Sequence, residues 1–118
     1  MAQTEITVTV TLDEAGVPLF TYNPPGTVVV TEENTQIIYS LNDQTGKGLS
    51  FAGASFANPF DGVIDSVSVT PNILTLHDSD QVNGQTGFRL LFNIQGQSLL
   101  LNSPDPVVID KKNHSLTF

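Results

Sequence analysis

Two short stretches hold the residues whose types and spacing could do chemistry. In Asp78-Ser79-Asp80-Gln81-Val82-Asn83-Gly84, side-chain oxygens recur ahead of a glycine, as in loops that wrap a divalent cation. Asp78, Asp80 and Asn83 are the candidate calcium ligands. The pattern departs from an EF-hand loop. Val82 takes a ligand position, the glycine comes one place late, and Arg89 stands where a bidentate glutamate would close the site. The alternative is an Asx-rich turn between two strands. In the second stretch, Asn58-Pro59-Phe60-Asp61-Gly62, an aromatic ring sits between turn formers. Phe60 is then either a plug over one end of the fold or an anchor for a partner, with Asp61 beside it. Asp105 is a third interaction candidate. If the loops meet, Asp61, Asp65, Asp78 and Asp80 make one acidic end able to take calcium or a small ligand.

Catalytic groups are scarcer. There is no cysteine and no Gly-x-Ser-x-Gly elbow, and His77 and His114 lie far apart in the chain. Neither histidine has a second one at metal-binding spacing. His77 reads as a satisfied residue at a sheet rim, and His114 as part of a turn or tail. The pairs Asp61/Asp65 and Asp105/Asp110 offer an acid and a base in principle, but no motif orients a nucleophile beside them. Walker and Rossmann glycine patterns are absent as well. The expectation is a protein that is not an enzyme and uses no cofactor beyond the calcium option.

Charge narrows the partners. Twelve acidic residues against four basic ones give a net charge of −8. Lys47, Arg89, Lys111 and Lys112 are too dispersed to build the basic patch that phosphate contact requires, so nucleic acid is excluded. Anionic membrane surfaces are disfavoured for the same reason. No window approaches a membrane span, and Met1-Ala2-Gln3-Thr4-Glu5 lacks the basic and apolar regions of a signal peptide. The expected location is the cytoplasm.

The elements that must position these residues are strands. Phe88, Leu90, Phe92 and Ile94 share one parity between Gly87 and Gly96, which puts all four on one face of a central strand. Thr4 to Leu12 alternates in the same way, with Ile6, Val8, Val10 and Leu12 opposed to Glu5, Thr7, Thr9 and Thr11. Val17 to Tyr22 follows after a turn, and Pro18 marks it as an edge or strand end. Thr35 to Asn42 and Leu49 to Phe56 are further strands, the latter with a bulge expected at Gly53. Val63 to Thr70 and Ile73 to His77 form a hairpin across Pro71-Asn72. Ser98 to Leu101, Val107 to Ile109 and Leu116 to Phe118 complete the set. Nowhere does helical periodicity persist for ten residues. Seven to nine short strands with Gly/Pro turns between them predict a single all-β domain over residues 1–118, an antiparallel sandwich.

Ser103-Pro104-Asp105-Pro106-Val107-Val108-Ile109, with the upstream Asn58-Pro59-Phe60-Asp61-Gly62, resembles the small bacterial proteins of the DP-EP family. The length and the opening alternation of Thr and Val are similar over nearly the whole chain. Asp105-Pro106 supplies one half of the namesake pattern, and no Glu-Pro dipeptide occurs. The resemblance implies an immunoglobulin-like sandwich, akin to inclusion-body-type sandwich proteins, and implies no activity.

The leading expectation is protein–protein association, homomeric, through an exposed sheet edge or a threonine-rich face. Its motive is the low charge of strands such as Thr4 to Leu12, guarded by Glu5 alone. Small-ligand or calcium binding at the loop end is the second reading, and a hydrolase of unrecognised type the third.

Overall fold

The computed structural model describes residues 2–32, 34–78, 83–104 and 107–111. Among them are ten strands: β1 (Ala2–Leu12), β2 (Pro18–Asn23), β3 (Val28–Val30), β4 (Thr35–Asp43), β5 (Leu49–Phe56), β6 (Ser66–Val69), β7 (Ile73–Asp78), β8 (Gly84–Ile94), β9 (Leu100–Asn102) and β10 (Val107–Lys111). They form two sheets, ordered β2-β1-β4-β7-β6 and β3-β10-β8-β5, with β9 also paired to β8. No helix of the described residues is long and apolar enough to cross a membrane.

The alternation in β1 does what period-two patterning dictates. Ile6, Val8 and Val10 are buried, while Glu5 and Thr7 stay exposed. Asp13 turns the chain, its Oδ1 accepting from the amides of Ala15 and Val17, and β2 returns antiparallel with Val10 opposite Phe20. The chain then leaves this sheet. Gly26 takes φ +86° in the turn, a conformation that glycine adopts without a Cβ penalty, and β3 joins the second sheet. When the chain comes back it enters as β4, parallel to β1, with Ile6 opposite Tyr39.

This crossover corrects the antiparallel expectation. β1–β4 and β3–β10 are parallel pairs, so both sheets are mixed. Alternating side chains report which face is buried and carry no information on the direction of the neighbouring strand. The ten strands of the described residues also exceed the expected seven to nine, and the short run Val28–Val30 is one of them, β3. Two further corrections follow from pairing. β1 has a neighbour on each side over Thr7–Val10, β2 and β4, and is an edge over Ala2–Ile6, where only β4 pairs with it. The segment Val63 to Thr70 is strand over Ser66–Val69 alone. Other expectations hold: β2 is an edge strand, β6 and β7 form the hairpin, and the β5–β8 register shifts between Phe51 and Gly53. Residues 116–118 lie outside the described residues.

The inward faces meet in one core. Ile37, Tyr39, Leu74 and Leu76 come from the first sheet, and Phe51, Phe88, Leu90, Phe92 and Ile109 from the second. Two rings of β8 organise it. Phe88 stacks on Phe56 and meets Tyr39 edge-on, with centroids 6.0 Å apart, while Phe92 stacks on Phe51 and contacts Phe20. Each such ring contributes about 1.5–3 kcal/mol from burial alone.

Candidate functional site

Parity carries two charged residues into the core. Asp78 ends β7 on the same face as Leu74 and Leu76, and Lys111 ends β10 on the same face as Val107 and Ile109. Their side chains are each 1% exposed, with Lys111 Nζ 2.5 Å from Asp78 Oδ1. One comes from each sheet, so the contact closes the sandwich at the end where β3 and β10 finish.

This pair bears on one of the three candidate calcium ligands. Asp78 turns its carboxylate inward onto an ammonium, because strand pleat fixes its direction. Asn83 is exposed immediately ahead of β8, and Asp80 lies outside the described residues. Among the described residues no three His, Cys, Asp or Glu side chains stand close enough to hold a metal. The acidic loop end is gathered in part. Asp61 and Asp65 line one shallow hollow of about 170 Å³ with Phe56, Ile64 and Val67. Asp61 Oδ1 accepts from the amide of Val63, and the Asp65 amide donates to His77 O at 2.9 Å. Asp78 does not join them.

His77 faces outward with Ile73 and Thr75, and its Nε2 lies 2.9 Å from Ser68 Oγ. The contact is on the solvent-exposed face of the sheet, where water competes for both partners. Phe60 is 91% exposed and plugs no part of the core. Its loop is held by local turns, the Phe60 amide donating to Asn58 Oδ1. Asp105 and His114 lie outside the described residues.

A larger hollow, about 400 Å³, opens where β2 crosses to β3 and is lined by Ile6, Tyr22, Pro24, Val28, Tyr39 and Val107 among others. Burial, with Tyr22 nearby adding to it, raises the Tyr39 hydroxyl far above the ordinary tyrosine range. It stays protonated, and it has no hydrogen-bond partner among the described residues. No charged side chain is among the described lining residues. Such a wall suits a neutral, largely apolar molecule and would leave an ion without a counter-charge.

The sheet edges form the remaining feature. β2 and β6 bound one sheet, and β3 and β5 the other. None of these strands holds an acidic or basic side chain. β5 spends part of its edge internally, the Phe51 amide donating to Pro71 O. β2 presents Leu19, about half exposed, just after an equally exposed Val17. The low-charge stretch Thr4 to Leu12 is an open edge only at its start, where Glu5 stands, and β2 covers it from Thr7 onward. Sequence reading missed the Asp78–Lys111 pair, although counting alternate residues onward from Leu76 and Ile109 reaches both.

A family model, that of the DP-EP family, matches residues 4–112. No curated protein matches the chain. Among solved structures, the N-terminal domain of phage TP901-1 ORF48 aligns with a TM-score of 0.45 and 15% identity, over 96% of this chain and 100% of that one.

Proposed function

The chain belongs to the DP-EP family, and we propose that its sandwich, of immunoglobulin-like kind, serves as a non-enzymatic association module whose partner is a second copy of the same chain. The observation that supports this reading is the absence of charge from β2, β3, β5 and β6, the strands that end the two sheets among the described residues, in a protein of net charge −8. Lone edge strands are usually protected by lysine, inward charge or a covering loop. β2 combines an open edge with a half-exposed Leu19. Two copies meeting β2 to β2 about a two-fold axis would make one continuous sheet.

Magnitudes set the strength. A six-residue edge adds a handful of hydrogen bonds worth about 0.5–1.5 kcal/mol each. Association costs about 4 kcal/mol or more in lost freedom, so apolar burial by Leu19 and Val17 must supply the surplus. The dimer is therefore weak and concentration-dependent. Light scattering across a dilution series should show it, and Leu19→Lys should return the protein to monomer without lowering its melting temperature. A wild-type monomer at every concentration rejects the reading.

The hollow beside Tyr39 favours a second reading, capture of a small neutral apolar molecule. Enhanced fluorescence of 1-aminoanthracene that is lost in Val28→Phe would support it. Unchanged fluorescence in the wild type would dismiss it.

A further inference from the structure

The Lys111–Asp78 contact has features that an ordinary ion pair does not require. Both groups are 1% exposed and reach across from opposite sheets. Asp78 faces Thr35 in register, and Lys111 faces Val30 and Gly84. Two full charges in such surroundings give up their hydration on burial. At 2.5 Å from Oδ1, the nitrogen stands about 3–3.5 Å from the carboxyl carbon, the separation of groups poised to react.

We propose that Lys111 Nζ and Asp78 Cγ condense to an intramolecular isopeptide bond joining β10 to β7. The balance is complete within the pair. One ammonium proton passes to the carboxylate, giving an amine and a carboxylic acid. The amine adds to Cγ, forming the N–C bond. A second N–H proton moves to the hydroxyl oxygen, the C–O bond breaks, and water leaves. Nothing is oxidised or reduced, and no co-reactant is consumed. Fixing both groups in one geometry supplies the effective concentration that an amide requires to form against water, and the product replaces two buried charges with one neutral amide. Thr86, opposite Ile109, lies two residues along β8 from Gly84, the residue opposite Lys111. Its hydroxyl is buried and has no hydrogen-bond partner among the described residues, so it is available to the new amide.

This inference is independent of the association reading and concerns the inside of one chain. Its test is the intact mass of the purified protein under denaturing conditions. The bond lowers the mass by one water, and Lys111→Arg restores the mass its own sequence requires. Trypsin, which cuts after Lys47, Arg89, Lys111 and Lys112, would then leave residues 48–89 and 90–112 joined as one branched peptide, with cleavage after Lys111 blocked. Asp78→Asn should lose ammonia in place of water and reach the wild-type mass. A wild-type protein at full mass, cut normally after Lys111, overturns the proposal whether or not the variants fold.

Discussion

Ser103 holds Leu90 twice: its amide donates to Leu90 O at 2.9 Å, and its hydroxyl accepts from Leu90 N at 3.0 Å. β9 and β10 lie along the same side of β8, separated by a stretch in which Pro104 has no amide to give. Ser103, fully buried, bridges that gap with a side chain where the backbone ladder would otherwise break.

Ser103→Ala removes the acceptor and leaves the Leu90 amide buried without it. The expected loss is about 1–3 kcal/mol. Chemical denaturation measures the loss, and hydrogen exchange should show the Leu90 amide opening faster than its neighbours Phe88 and Phe92.

Asp43 ties the loop after β4. Burial pushes its carboxyl up, but hydrogen bonds from Thr45 Oγ1 and from the amides of Leu49 and Thr45 outweigh that, and its pKa falls below the ordinary value. A folded-state value below the unfolded one adds stability above the unfolded pKa, and that stability is lost as pH falls through the folded pKa. Asp43→Ala should therefore lower the melting temperature at neutral pH. The gap from wild type should narrow as pH drops below the ordinary aspartate range, and a gap constant down to strong acid would contradict the assignment.

Phe60 and Phe92 should separate cleanly. Phe60→Ser alters a side chain that is almost wholly in solvent and should change stability by no more than about 0.5 kcal/mol. Phe92→Ala empties a site between Phe20 and Phe51 and should cost about 3–5 kcal/mol. Thermal melts of the two variants side by side give the comparison.

Much of the architecture is legible in the chain, because apolar parity marks every long strand. β1, β4, β7 and β8 bury the faces that their alternation assigns, and Gly53 sits at the bulge. Direction and neighbourhood are not encoded that way. The pairing of Ala2–Val10 with Thr35–Asp43 joins segments some thirty residues apart through a passage in the opposite sheet, and no local pattern announces it. The site was harder still. Asp78 belongs equally to an oxygen-rich loop and to the buried face of β7, and the choice depends on Lys111, which is 33 residues away. Tyr22 and Tyr39 look like ordinary strand aromatics until the crossover at Pro24 leaves a hollow between them.

β10 slots between β3 and β8 and is the neighbour to which β3 is hydrogen-bonded. During synthesis, then, three valines made early must wait for residues 107–111 to leave the ribosome before they gain a companion. Until that moment one sheet is a fragment with its apolar interior uncovered, and the nascent polypeptide depends on chaperones or on speed to avoid sticking to others.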